Sequence, residues 1–295
     1  MKRLKRAYHR FNSVPENVVA ARNSGATYMG GNEVLTRLFN GQKMYVDTRD
    51  VSESPHLIID GYWEINITRV FEGLVEPGDV VFDVGSTYGY YALLAGAGGA
   101  SRLVCVDPNP VYASYIAQNL TVNGLIDRSD YLPVAIGGKK GTTTLHLLRD
   151  DWNSATTQDL AEFKKQRQVP YEVASSEKVD MNTVDGIVAE LGITEVGVLK
   201  IDIEGQEEAA YKAMAETIRV SPKLRLLIEF SPQNYKDPSA FFDSIAADFP
   251  HLYVMPAGDN LQRTHSYTQL VNITNDQWMM LLASKVDVDH LIVED

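Results

Sequence analysis

Residues 80–96 read VVFDVGSTYGYYALLAG. Val80, Val81, Phe82 and Val84 surround Asp83, and an unbroken run of branched and aromatic side chains is the mark of a strand buried on both faces, as in parallel sheets. The run breaks at Gly85, turns, and passes into a helical stretch near 88–97. Gly85 and Gly89 stand four apart, with Asp83 two residues ahead of the first. D-x-G-x-x-x-G at a strand-to-helix turn is related to the dinucleotide fingerprint G-x-G-x-x-G, in which glycine lets a ligand approach the backbone closely. Taken alone, the turn is equally compatible with a sterically tight βα connection.

A second apolar run, LVCVD at 103–107, ends in Asp107, 24 positions after Asp83. An acid at the end of the second strand of a βαβ unit is placed to hydrogen-bond ribose hydroxyls. Asn109 and Pro110 then suit the N-cap and first position of a helix reaching Asn123. Alternation continues, with strands read at 131–136, 196–202 and 224–230 and helices at 182–191 and 206–219. FFDSIAADF (241–249) reads as a further helix, and LYVMPA (252–257) and WMMLLA (278–283) as two more strands. The pattern predicts an α/β fold: a seven-stranded, mostly parallel sheet with helices on both faces.

Upstream, MYVDTRD (44–50) reads as a strand, and Trp63, Ile67, Phe71 and Leu74 share a helical face that must pack on something. Residues 1–70 are therefore expected to form an N-terminal extension over the open end of the sheet, with the main domain at 71–295. The polar segment 149–178 is expected to be a long insertion loop serving as a lid or substrate loop, with a β-hairpin as the alternative.

Composition narrows the function. A chain of 295 residues, 44% hydrophobic, can bury a full core. A net charge of −12 argues against a nucleic-acid partner, because such binding depends on Lys and Arg neutralising phosphates. The one basic cluster, MKRLKRAYHR (1–10), reads as a solvated arm. No apolar window approaches 18 residues and no apolar core follows the basic N-terminus, so neither a membrane span nor a signal peptide is expected. Cys105 is the only cysteine. It leaves no internal disulfide or cysteine metal site, and a cytoplasmic setting is expected.

PGDVVFDVGSTYGYY (77–91), VDPNP (106–110), the pair Asn119 and Asn123, VGVLKIDIEGQE (196–207) and LLIEF (226–230) resemble the FkbM family of class I S-adenosylmethionine-dependent methyltransferases. The resemblance covers about residues 60–232, and KIDIEG is its most specific block. It implies a Rossmann-like fold, S-adenosylmethionine as cofactor, and a cofactor site built from Glu64, Asp83, Gly85, Ser86, Thr87, Gly89, Asp107, Asn109, Ala135 and Asp202. The family usually carries Ala and Asn where this chain has Ser86 and Thr87, and Glu where it has Asp107. Hydrogen-bonding capacity is kept, while the shorter Asp107 alters the reach to a ribose. The physical demand agrees: this donor presents a ribose diol, an adenine and a zwitterionic tail but no pyrophosphate, so it needs an acid and a close glycine backbone without a phosphate-binding lysine.

Methyl transfer depends chiefly on proximity, and a hydroxyl acceptor benefits from a base. Asp202 and Glu204, two apart in an extended segment, share a face and are the candidate catalytic pair. Either could instead cap a helix starting near Gly205, and Lys200 is placed to pair with either. His146, His251, His265 and His290 have no ligand spacing, and no metal is expected. Asp151, Trp152, Asn153 and Ser154 are candidates for the acceptor pocket, with Trp152 offering a flat face to a sugar or aromatic ring. The expected activity is O-methylation of a hydroxyl on a small molecule or glycan, such as a polyketide, glycolipid or sugar. A methyltransferase of RNA or protein, and a non-catalytic cofactor-binding module, are the alternatives.

Overall fold

The computed structural model describes residues 25–149, 155–161, 163, 172–256, 259–274 and 278–292. It opens with an antiparallel meander, β1 (Thr27–Gly30), β2 (Glu33–Arg37) and β3 (Lys43–Asp47), followed by helices α1 (Ser54–Ile59) and α2 (Ile65–Leu74). Next come β4 (Val80–Val84), α3 (Tyr90–Gly98), β5 (Arg102–Val106), α4 (Pro110–Val122) and β6 (Ser129–Leu132). Strands β7 (Ala135–Ile136), β8 (Gly141–Leu148) and β9 (Val173–Asn182) follow, then α5 (Val184–Glu190), β10 (Val198–Ile201), α6 (Glu207–Lys212) and α7 (Ala215–Val220). The chain continues with β11 (Arg225–Phe230), α8 (Pro238–Asp248), β12 (His251–Pro256), β13 (Gln262–Arg263), α9 (Tyr267–Thr274) and β14 (Met279–Ser284).

The central sheet is mixed, with the order β13-β12-β14-β11-β10-β4-β5-β6. From β11 to β6 all neighbours are parallel, while β14 runs antiparallel to both β11 and β12. The sheet has eight strands, not the expected seven. The addition is β13, a two-residue edge strand paired with Tyr253 and Val254, too short to leave a period in the sequence.

The strand expected at 131–136 is divided. Pro133 follows β6 and has no N–H to extend a ladder, and β7 joins a separate sheet ordered β7-β9-β8. The last residues of the expected insertion loop, from Val173, are strand: β9 pairs antiparallel with β8, the hairpin considered as its alternative. The helix expected at 206–219 is two helices. The second starts where Asp185 of α5 accepts hydrogen bonds from the N–H groups of Glu216 and Thr217 at 3.0 and 2.7 Å.

Alternation along the parallel strands builds two cores. Val81, Leu103 and Cys105 face α3, α4 and the N-terminal meander, whereas Phe82, Val84, Val104 and Val106 face the side covered by α5. Each fully buried side chain of this size contributes roughly 1.5–3 kcal/mol. The meander shares the first core through Val34, Leu38, Met44 and Val46. Its docking is specified by Asn119 of α4, fully buried, whose Oδ1 accepts from Tyr45 N–H at 2.6 Å and whose Nδ2 donates to the carbonyls of Tyr45 and Tyr88 at 3.1 and 2.9 Å. Among the described residues no helix is long and apolar enough to cross a membrane.

Candidate active site

Strand register sets the site. Val106, Val84, Ile201 and Ile228 lie side by side on β5, β4, β10 and β11. The next residue on each strand therefore forms a row along the carboxyl edge: Asp107, Gly85, Asp202, Glu229. Backbone bonds carry the row past the strand ends, with Gly85 N–H donating to Val106 O at 2.9 Å and Asp202 N–H to Val84 O at 3.1 Å. The chain winds from β4 out to β6 and later resumes on the other side of β4 at β10. Strand order thus reverses between Gly85 and Asp202, the place where open α/β sheets take their ligands. Gly85 has no substitute there: φ is +79°, and a Cβ would lie 1.8 Å from the carbonyl oxygen of Asp202.

A cavity of about 520 Å³ opens over this row. Of the residues expected at the site, Glu64, Gly85, Thr87, Asp107, Asn109, Ala135, Asp202 and Glu204 line it. Asp83, Ser86 and Gly89 stand behind the wall and shape the turn. Asp83 Oδ2 accepts from Ala92 N–H at 3.2 Å in the first turn of α3, while Oδ1, buried, has no partner among the described residues. Burial pushes its carboxyl up to about 6, against the pull of Lys200. Ser86 Oγ donates to Asp83 O and accepts from Val106 N–H at 3.0 Å. Gly89, at φ +81°, begins α3.

Asp107 holds the turn from the β5 side. Its Oδ2 accepts from Thr87 N–H at 2.8 Å and its Oδ1 from Asn109 N–H at 2.9 Å, and burial pushes the carboxyl up to about 7. Asn109 also caps α4 through Val111 N–H at 3.1 Å. On the β10 side Lys200, buried, lies 3.2 Å from Asp202 Oδ2 and 5.0 Å above the Tyr91 ring. Burial alone would lower its pKa, but Asp202, Asp83 and Glu64 outweigh it and hold the ammonium above its ordinary value. Lys200 is the one cationic residue on the described wall, facing Glu53, Glu64, Asp107, Asp202, Glu204 and Glu229.

Four non-glycine residues have positive φ among those described, and three of them line this cavity: Glu64 at 40°, Thr87 at 48° and Glu204 at 58°. Backbone strain of this kind persists where surroundings hold it for function. The surroundings of Glu204 are explicit. Its carbonyl accepts from Gln158 Nε2 at 2.7 Å and Thr156 Oγ1 at 3.2 Å. Glu207 Oε1 accepts from the N–H groups of Ile203 and Gly205 at 2.9 and 3.2 Å and so holds this turn, while neither Asp202 nor Glu204 caps the helix that follows.

The structure adds residues that sequence reading missed. Glu53, buried, accepts from Thr87 Oγ1 at 3.0 Å, and Gln158 comes from the β8–β9 insertion. Glu229 lines the cavity with Ser231, Gln233 and Trp278. Glu229 was visible in principle as an acid near the end of the apolar run LLIEF, a signal close to the one that gave Asp107. Neither Glu53 nor Gln158 ends a periodic segment. The four histidines considered above do not line the cavity. Asp151, Trp152, Asn153, Ser154 and the basic cluster 1–10 lie outside the described residues. Among those described, no group of three or more His, Cys, Asp or Glu gathers to hold a metal ion.

The methyltransferase FkbM domain profile matches residues 83–255, more than half of the chain. The chain belongs to the FkbM methyltransferase family. The family's methyl donor is S-adenosylmethionine. For this FkbM chain the residues present fit that donor: Gly85 brings bare backbone to the cavity wall, acidic side chains line that wall, and behind the turn a buried carboxyl oxygen of Asp83 has no partner among the described residues. No curated protein matches the chain. Among solved structures, methyltransferase FkbM from Methylobacillus flagellatus is 12% identical with a TM-score of 0.44; the match covers 70% of this chain and 43% of that one. An O-methyltransferase from Bacillus cereus in complex with SAH is 14% identical, covering 75% and 78%, with a TM-score of 0.34. The M. jannaschii tRNA m1G37 methyltransferase is 12% identical, covering 87% and 55%, with a TM-score of 0.43. At these scores the structural likenesses carry no argument about activity, and the profile match alone places the chain in its family.

Proposed function

We propose that this protein transfers a methyl group from S-adenosylmethionine to a hydroxyl of a small, uncharged molecule or glycan. The observation that supports it most is the carboxyl-edge row Asp107, Gly85, Asp202, Glu229 under one cavity. In this reading Asp107 takes the ribose, Gly85 lets the donor lie on the backbone, and Thr87, Asn109, Ala135 and Glu64 complete its walls. When bound, the donor supplies a methyl carbon already activated by its sulfonium. Asp202 and Glu204 serve the acceptor: one of the two carboxylates takes the hydroxyl proton as the new bond to oxygen forms. Lys200 fixes the Asp202 carboxyl from 3.2 Å, and the Gln158 contact keeps Glu204 in its strained turn.

The acidic wall favours this acceptor class. The described wall offers a phosphate-rich substrate a single lysine, itself paired with Asp202, on a chain of net charge −12. The extension at 1–70 and the main domain at 71–295 are taken to act together, since Glu64 stands on the donor wall. The single, buried Cys105 suits a cytoplasmic reaction.

The test is a methyl-labelling assay with S-adenosyl[methyl-³H]methionine and three acceptor pools: neutral glycans and polyketide lactones, transfer RNA, and cell protein. Label should appear in the small-molecule pool, and Asp202→Asn should lower turnover about 10²- to 10⁴-fold. Label found only in RNA or protein would overturn the acceptor class.

A further inference from the structure

The loop before α1 is built with more order than a linker needs. Asp50, buried, accepts from the N–H groups of Ser52 at 2.8 Å, Glu53 at 3.2 Å and Ser54 at 3.0 Å, and from Ser54 Oγ at 3.0 Å. Such Asx-type bonding fixes a turn. Ser54 Oγ, its hydrogen given to Asp50, also lies 3.3 Å from Tyr88 Oη, which accepts from Asp47 N–H at 3.4 Å. Residues 47–54 are thereby clamped over the turn at 85–88. The clamp drives the Glu53 side chain inward, where it is 3% exposed and lines the cavity.

Glu53 meets the donor turn at one residue. Thr87 donates its hydroxyl to Glu53 Oε2 at 3.0 Å and its N–H to Asp107 Oδ2 at 2.8 Å. The two carboxyls therefore flank Thr87, a β-branched residue held at φ 48°, where such residues are outliers. Asp107 has already given one lone pair on each oxygen to a backbone N–H, while a ribose diol brings two further hydroxyls. Glu53 lies outside the segment matched by the family profile, 83–255.

We propose that Glu53 is a second acidic contact for the ribose hydroxyls of S-adenosylmethionine, working opposite Asp107 across Thr87; this rests on the donor reading above. Burial and Asp50 push the Glu53 carboxyl up to about 8, so at neutral pH it is mostly protonated and can both donate to and accept from a hydroxyl.

The test uses the full chain and calorimetric titration with 5′-methylthioadenosine, which lacks the amino-acid tail, with its 2′,3′-dideoxy counterpart, and with S-adenosylmethionine. Circular dichroism checks folding. The wild type should prefer the ribose compound at least tenfold. Glu53→Ala should narrow that preference at least threefold, and Glu53→Gln, equal in shape and hydrogen-bonding capacity, should keep it within about twofold. If the alanine variant does not fold, Glu53→Asp, which withdraws the carboxyl by one methylene, should narrow the preference in the same way. Equal weakening of both nucleosides, with the preference unchanged, would reduce Glu53 to a structural clamp and overturn the proposal. Loss of affinity for S-adenosylmethionine alone would assign Glu53 to the tail and overturn it too. A folded wild type that binds none of the three ligands has a separate signature: it removes the donor reading and this inference with it.

Discussion

At the scale of single residues, two positions show how little latitude the site has. Gly85 combines a positive φ with a backbone oxygen that would sit inside any Cβ. Gly85→Ala should cost about 3 kcal/mol or more in urea denaturation, combining left-handed strain with a clash against main chain that has no rotamer to escape through. Gly205 shares the positive φ, at +98°, but an added Cβ there would meet the side-chain amide of Gln158, which can move, rather than main chain. Lys200 is the second position. It stands among Asp202, Asp83 and Glu64 with 5% of its side chain exposed. Lys200→Met leaves those carboxyls without a counter-charge and should cost roughly 3–5 kcal/mol, the range for breaking a buried ion pair from one side, again read by denaturation. A variant of unchanged stability would mean that the acids are compensated from elsewhere.

At the scale of elements, the parts that could be read from sequence are those where burial imposes a period. β4, β5, β10 and β11 are short apolar runs ending in Asp107, Asp202 or Glu229, or at the glycine turn, and their order as parallel strands follows from the helices between them. Asn109 and Pro110 announced the start of α4, and the structure shows that cap. The meander β1–β3 was not legible beyond β3, because its burial pattern is exposed or mixed and its stability comes from a long-range partner. That partner is Asn119, 74 residues away from Tyr45 in sequence. The β8–β9 hairpin was legible only as an alternative for a related reason: β9 is exposed along most of its length, so no alternation marks it. Glu53 and Gln158 act through turns and side-chain amides, which have no period at all. Asn119→Ala should therefore cost roughly 1–3 kcal/mol by leaving buried backbone groups of Tyr45 and Tyr88 unpaired, and hydrogen exchange should show β3 and the start of α3 opening together. Protection lost from β3 alone would mean that Asn119 does not couple the two.

At the scale of the whole molecule, the cavity concentrates acids whose carboxyls burial raises: Glu53 to about 8, Glu64 and Asp107 to about 7, with Asp83 behind them at about 6. Each holds its proton more tightly folded than unfolded. The stability they provide is fully present below the ordinary carboxylate range and is lost as pH rises through about 6 to 8. The ligand-free protein should melt at a lower temperature at pH 8.5 than at pH 6 in matched ionic strength, and a cationic donor should narrow the difference by favouring the ionised forms. The groups held below their ordinary values, such as Asp47 and Asp289, act only in acid and leave this window unchanged. The same acids make the central claim directly measurable, since a cavity built to hold S-adenosylmethionine must bind it in the absence of any acceptor. Calorimetric titration of S-adenosylmethionine and S-adenosylhomocysteine into the wild type and Asp107→Ala should give binding of both ligands by the wild type, weakened at least tenfold, about 1.4 kcal/mol, in the variant. A folded wild type that binds neither would contradict the account.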